Sequence, residues 1–262
     1  MRLIIVGPGR AGGAIALASE AAGHEIAGVL SRRPVDRWEQ LDWDAPLPEA
    51  DVVILAVRDE AIAEVASRIA PHVSDIGVVA HLSGFTPVLA LHEIQERGTA
   101  VGGFHPLQSL PDWETGSRAL AGAFVGIEGD PLGVDVLTHL ASTLGLEAFR
   151  LEDAARPAYH AAAAAAANFV VTALAVSGDL FESAQIDPRV SRPLVETAVA
   201  NVFEKGPSAS LTGPIARGDI ETVIGHLTAA REVSEHVGRQ FQLMAEATTL
   251  RAGREEDLHR WK

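Results

Sequence analysis

The chain has 262 residues and a formal net charge of −14, with 47% hydrophobic residues and no cysteine. That composition supports a folded core and excludes disulfides, thiolate metal sites and a cysteine nucleophile. The acidic balance argues against a broad nucleic-acid surface, which is normally basic. No uninterrupted apolar run reaches the roughly 18–20 residues that span a bilayer, so no membrane role is expected. The N-terminus enters a strand pattern at once, without a signal-peptide pattern, and the missing cysteines fit a cytoplasmic protein. Lysine occurs only as Lys205 and Lys262 and tyrosine only as Tyr159, so chemistry needing either has few candidates.

In chain order, residues 2–6 (RLIIV) read as a buried strand that ends at Gly7. Residues 10–22 read as a helix closed by Gly23, and residues 25–30 as a second strand. Residues 51–57 (DVVILAV) form a continuous β-branched run that suits a parallel sheet covered on both faces. Residues 59–69 read as a helix. Further strands are predicted at 77–82, 99–104 and 123–127, with helices at 86–97 and 133–144. Strands alternating with helices imply βαβ units and a mainly parallel sheet.

Near residue 150 the pattern changes. Pro157 suits the first turn of a long helix, which continues through the alanine run 161–167 to about 180. A helix from Pro188 to about 204, a turn-rich segment at 206–219, helices at 220–227 and 230–250, and a charged tail at 254–262 complete the reading. The expected organisation is a Rossmann-like α/β domain over 1–151 and an all-α domain over 152–262.

Residues 7–12 read GPGRAG, that is, Gly7-Pro8-Gly9-Arg10-Ala11-Gly12. The G-x-G-x-x-G pattern follows a strand and opens a helix, which is the setting of a dinucleotide-binding turn. Gly7 permits the tight turn, Gly9 lets a pyrophosphate approach, and Gly12 lets helix and strand pack closely. An NAD site usually carries an acidic residue at the end of the second strand. Ser31-Arg32-Arg33 stands there instead, which suits a 2′-phosphate and favours NADP(H); the other reading is an exposed polar loop. Val57, at the next strand end, is a further cofactor contact, or ordinary connection chemistry. No H-E-x-x-H or clustered carboxylates suggest a metal, and no G-x-S-x-G elbow suggests a hydrolase.

Several stretches together resemble the DUF2520 family, which pairs a Rossmann-like domain with a helical domain of unknown function. They are HLSG at 81–84, GFHPLQS at 103–109, YHAAAAAAAN at 159–168, Pro193-Leu194, Asn201 and LTGPIARGD at 211–219. More broadly the chain resembles the superfamily of ketopantoate reductase, pyrroline-5-carboxylate reductase, prephenate dehydrogenase and 6-phosphogluconate dehydrogenase. The resemblance implies an active site between the two domains and a homodimer formed through the helical one.

Four residues are the expected catalytic group. His105 ends a strand, Pro106 should break further pairing there, and the HP pair resembles a strand-end histidine of related dehydrogenases. Gln108 is placed to orient it or to bind substrate. His160 and Asn168 lie eight apart, close to two helical turns, and can share a face with Tyr159 nearby. Related dehydrogenases carry Lys-x-x-x-Asn on this helix, but the lysine position here is Ala164, so His160 is the substitute. Arg217, with Thr212 and Asp219, suits an anionic substrate, or else pairs with Asp219 in a rigid turn; His226 follows on the same face. His81 and Ser83 follow a buried strand and are expected to border the nicotinamide. Each of these polar residues also has a purely structural alternative, as a cap or a satisfied buried group.

The expected function is NADPH-dependent reduction of a small anionic substrate, either a 2-oxo acid of the ketopantoate kind or an imino acid. The rival is a non-catalytic NADP(H)-binding sensor or interaction protein. A deazaflavin partner has no positive sign in the sequence.

Overall fold

The computed structural model describes residues 1–261. Its elements in chain order are β1 (Arg2–Val6), α1 (Arg10–Ala21), β2 (Glu25–Leu30), β3 (Ala50–Leu55), α2 (Ile62–Ile69), β4 (Ile76–His81), α3 (His92–Gln95), β5 (Ala100–Pro106), α4 (Trp113–Ala119), β6 (Phe124–Gly129), α5 (Pro131–Thr143), β7 (Glu147–Arg150), α6 (Arg156–Ala164), α7 (Val170–Ser183), α8 (Arg192–Lys205), α9 (Pro207–Ser210), α10 (Pro214–Arg217), α11 (Ile220–Val233) and α12 (Glu235–Arg251). Short 3₁₀ turns join several of them. A π-helical turn, Ala165–Phe169, makes α6 and α7 one continuous rod.

The chain divides into two compact units, Met1–Ala164 and Ala165–Lys262. This division falls inside the long helix, later than the change of pattern near residue 151, because the first turns of that helix pack onto the sheet.

The first unit is one seven-stranded sheet in the order β2-β1-β3-β4-β5-β6-β7. All neighbours are parallel except β5 and β6. Its β-branched strands bury both faces, as a parallel sheet between helices requires. One apolar cluster packs β1, β3 and β4 with α1 and α5, and the other packs them with α2. The strand order reverses between β1 and β3, which creates the crevice where α/β proteins bind ligands at the carboxyl ends of their strands.

Several expectations need correction. Pro106 does not end pairing: β5 runs through it, and the Leu107 N–H still donates to the Phe124 carbonyl at 2.8 Å. By Pro106 the β4 partner has already ended at Gly103, so the missing N–H falls on an unpaired side. The helix expected over 86–97 is a 3₁₀ turn, Val88–Leu91, followed directly by the single turn of α3; Pro87 precedes it and Gly98, at φ +89°, closes it. Both α4 and the four-residue β7 escaped the periodicity argument, being too short to show a period. The turn-rich segment contains α9 and α10, one turn each, opened by Pro207 and Pro214.

In the second unit α11 and α12 pair, and Val176 of α7 packs with Ala230 and Val237 between them. Ser234 separates the two helices by capping α12 through its hydroxyl. The expected charged tail is a 3₁₀ turn, Glu255–Arg260, in which Asp257 pairs with Arg254 and Arg260. It ends on Trp261, which is 2% exposed and donates to Thr249 Oγ1 at 2.9 Å. Its charges hold one another while the indole anchors the segment. By length and composition alone the rod Asp153–Ser183 would cross a membrane, although Asn168 and Thr172 interrupt its apolar run. Its first turns instead hold Arg156, Tyr159 and His160 within the sheet unit.

Candidate functional site

Strand register places the predicted motifs along one edge. Leu30, Val6, Leu55, His81, Gly103 and Glu128 form one row across six strands. Ser31, Gly7, Ala56, Leu82 and Phe104 therefore follow at the same carboxyl-terminal edge, with His105 one residue further. Neighbouring strands lie about 4.8 Å apart, so the glycine turn and His105 are roughly 15 Å from each other along this edge. A surface hollow bordered by Arg2, Asp51 and Asp75 lies at the opposite edge, among strand starts, and contains none of these motifs.

The glycine turn has the geometry that its sequence implies. Gly7 has φ +85°, and a side chain there would press on Ala56 O and Val57. A Cβ on Gly12 would lie 2.5 Å from Gly7 O and 2.8 Å from the Ala56 Cβ, so helix and strand meet without room for one. Over Gly9 the nearest atom is 4.0 Å away, which leaves its surface open to a ligand. Gly9 caps α1 with no side-chain hydrogen bond, and no acidic residue stands in the first turn. The first intrahelical donor is Gly13 N, to Gly9 O at 2.9 Å, so the N–H groups of Arg10, Ala11 and Gly12 remain for an anion. Trp113 of α4 donates from Nε1 to Gly9 O at 2.8 Å, and its indole fills the space a Cβ on Gly13 would need.

Next along the edge, Ser31 Oγ accepts from Arg33 N at 3.2 Å and forms a tight polar turn. Its carbonyl accepts from Gln40 Nε2 at 3.1 Å. Arg32 and Arg33 are exposed and make no ion pair among the described residues. Val57 walls the turn beside Gly7.

The second cluster surrounds His105. Its Nδ1 lies 2.6 Å from the Tyr159 hydroxyl, and the two rings meet edge to face. A Cβ on Gly84 would lie about equally far, 2.8–3.0 Å, from three atoms of the imidazole, so the flat face of the ring rests on that glycine. The His160 ring centroid is 6.0 Å from that of His105 and 6.1 Å from that of Phe85. Nδ1 of His160 is buried without a partner. Burial, then His160 and Arg156, lowers His105 to about 4, so it is neutral near pH 7. Burial pushes Tyr159 up to about 12, so its proton stays on. His81 is also neutral, held near 4 by burial and Arg156. Its Nδ1 accepts from Ser83 N at 3.2 Å, which puts the ring proton on Nε2.

Two expected residues have other work. Ser83 Oγ lies 2.7 Å from Asp59 Oδ2 and accepts from the N–H groups of Phe85 and Thr86. It shapes the loop under His105 and Phe85. Gln108 turns away from His105: its amide donates to Ala119 O at 3.2 Å and accepts from Ser109 N. The group that orients His105 is Tyr159.

Sequence reasoning missed Arg156 altogether. Its side chain is 1% exposed and reaches Glu128, Asp153 and the Ser83 carbonyl. Burial and the Asp153 carboxyl raise Glu128. Burial would raise Asp153 too, but hydrogen bonds from Glu128 and Arg156 outweigh it and lower the group.

The remaining candidates belong to the second unit. Asn168 is exposed and sits in the π turn, which breaks the 3.6-residue spacing that aligned it with His160. Arg217 is exposed at the end of α10 and makes no ion pair among the described residues. Asp219 caps α11 through Thr222 rather than pairing with Arg217. The His226 ring meets Phe241 edge to face.

Residues 123–248 match the family model described as a domain of unknown function, DUF2520. No curated protein matches the chain. Among solved structures, a Bacteroides fragilis protein assigned as an NADP oxidoreductase is similar at TM-score 0.79 and 21% identity, covering 95% of this chain and 98% of that one. An imine reductase of Streptomyces aurantiacus is similar at TM-score 0.68 and 16% identity, covering 100% and 98%. A Plasmodium falciparum pyrroline carboxylate reductase with NADP bound is similar at TM-score 0.65 and 12% identity, covering 96% and 98%. At these identities the likeness is one of fold. The chain thus matches the DUF2520 model over residues 123–248 and has the fold of those structures, a Rossmann-like sheet followed by helices.

Proposed function

We propose that the chain is an NADPH-dependent oxidoreductase that reduces a small carboxylate-bearing imine or carbonyl compound. The observation that carries this reading is the sharing of one sheet edge by an uncapped, glycine-rich helix start and the His105–Tyr159 pair. The open surface over Gly9 and the free N–H groups of Arg10, Ala11 and Gly12 suit a pyrophosphate. Ser31, Arg32 and Arg33 suit a 2′-phosphate, which supports NADP(H) over NAD(H). The imine class gains support from relatives described as imine and pyrroline carboxylate reductases; a ketopantoate-like 2-oxo acid is the alternative substrate.

Bound at that edge, the reduced nicotinamide would supply the hydride. The chain must then deliver one proton to the substrate nitrogen or oxygen. One proton lies between Tyr159 Oη and His105 Nδ1, and the pair carries a second that faces outward. In one tautomer this outward proton is on His105 Nε2; in the other it is on the Tyr159 hydroxyl. Burial keeps both groups uncharged, so the pair can lose a proton to a stronger base formed in the reaction. His160 closes the imidazole side, and Phe85 offers an exposed apolar face beside it. Turnover of NADPH against a panel of cyclic imines and 2-oxo acids tests the reading.

We also propose that the second unit forms a homodimer. No residue of α8 is buried, Phe203 on it is 87% exposed, and Phe169 in the π turn is 68% exposed. At roughly 200 Å² per phenylalanine these two rings expose about 300 Å² of apolar surface between them, which a second copy of the unit would cover. Sedimentation of the wild type against Phe203→Asp tests this.

A further inference from the structure

One guanidinium ties β6, the segment after β4 and the turn before α6 together. Arg156 directs Nε to Asp153 Oδ1 at 2.7 Å, Nη2 to Glu128 Oε2 at 3.2 Å and Nη1 to the Ser83 carbonyl at 3.1 Å. Glu128 is in β6, and Ser83 follows β4. Gly103 in β5 leaves the space for the fork, since a Cβ there would stand 2.7 Å from Nη2. The Asp153 N–H donates to Glu128 Oε1 at 2.9 Å and closes the cluster. Burying an ion is costly and is offset when it is paired and hydrogen-bonded, and here each guanidinium nitrogen has a partner.

Arg156 also opens α6, the helix that carries the site. Tyr159 and His160 follow it by three and four residues, so all three share a face one turn apart. His105 lies two residues beyond Gly103 on the strand beneath. The lock therefore fixes the helix on which the Tyr159 hydroxyl rides against the strand on which His105 rides.

We infer that Arg156 is a positioning residue: by pinning the first turn of α6 to the end of β4 and to Glu128 of β6, across Gly103 of β5, it holds the Tyr159 hydroxyl on Nδ1 of His105. Its importance for catalysis rests on the proposed reductase reading, but the lock itself needs neither cofactor nor substrate. The charged or titratable groups that act on His105 are His160, Arg156, Asp59 and Tyr159.

The test uses the full chain labelled with ¹⁵N-histidine, with His105 assigned through His105→Asn. In the wild type, His105 should hold a single tautomer, fixed by the Tyr159 hydroxyl at Nδ1, and the ring should stay neutral until about pH 4. Arg156→Lys keeps the charge but loses the fork. It should return His105 to a mixture of tautomers, matching Tyr159→Phe, and move its midpoint up toward 6.5. A lower melting temperature with an unchanged His105 tautomer and midpoint would overturn the inference, because Arg156 would then support the fold alone. If Arg156→Lys does not fold, Asp153→Ala decides. That change removes one partner at a more exposed position and should give a smaller shift in the same direction; no shift overturns the inference. Neither readout uses NADPH, so failure of the reductase reading would be seen separately.

Discussion

The Tyr159 hydroxyl and His105 Nδ1 are 2.6 Å apart although 54 positions separate the residues in sequence. One rides on the first turns of α6 and the other near the end of β5. The bond joins two neutral groups, and the proposed reduction would draw its one proton from them. Tyr159→Phe removes the hydroxyl and keeps the ring against Phe149 and His105. It should lower kcat by about 10²-fold or more with little change in KM, the usual worth of a positioned proton donor. Steady-state kinetics on whichever substrate the panel identifies checks this.

Two glycines of one motif should fail in different ways. A Cβ on Gly12 would strike the Gly7 carbonyl and the Ala56 side chain, neither of which can move aside freely. Gly12→Ala should cost about 1–3 kcal/mol of stability as overpacking. A Cβ on Gly9 meets nothing closer than 4.0 Å, so Gly9→Ala should melt like the wild type. It should nonetheless bind NADPH at least about tenfold more weakly, because the added methyl occupies the open surface where a pyrophosphate approaches. Thermal melts and fluorescence titration of both variants separate the two effects.

Arg32 stands exposed and without an ion partner beside Ser31. A charge-assisted contact to a 2′-phosphate is worth about 1.5–3 kcal/mol. Arg32→Ala should therefore weaken NADPH binding by roughly 10- to 100-fold and leave NADH binding unchanged. Calorimetric titration with both nucleotides reads the difference.

Stability should fall as the solution is acidified from about pH 6.5 to pH 4. His81 and His105 are held near 4 in the fold, against an ordinary value of 6.5. In that window the unfolded chain binds protons that the folded chain refuses, so stability rises with pH and is fully present above 6.5. Each imidazole can contribute about 3 kcal/mol at most, since every tenfold loss of proton affinity on folding is worth about 1.4 kcal/mol. The lowered Asp153 adds to the acid loss, and the raised Glu128 opposes it. Urea denaturation across this range should show the decline, and His81→Asn should make it shallower.

Much of this was legible in the residues, and the limit is physical. Gly7, Gly9 and Gly12 announce a turn because its demands are local: a positive φ, an open surface and a close packing contact, all within six positions. β1 and β3 declare themselves by continuous apolar runs. Arg156 carries no such signal. It is one arginine at a helix start, and its partners Glu128 and Ser83 lie 28 and 73 positions away. Trp113 is the same case, 104 positions from the Gly9 carbonyl that it holds. Gln108, adjacent in sequence to the HP pair, proved less connected to His105 than the distant Tyr159. Proximity along the chain misled there because the backbone turns after Pro106.

The most direct test of the central claim is NADPH consumption by the purified full chain over cyclic imines and 2-oxo acids, run beside Tyr159→Phe and Arg32→Ala. The account predicts turnover on at least one class, slowed about 10²-fold or more by Tyr159→Phe at saturating NADPH. For Arg32→Ala it predicts a loss that added NADPH restores. Tight NADPH binding without turnover of any substrate would contradict it and favour an NADP(H) sensor.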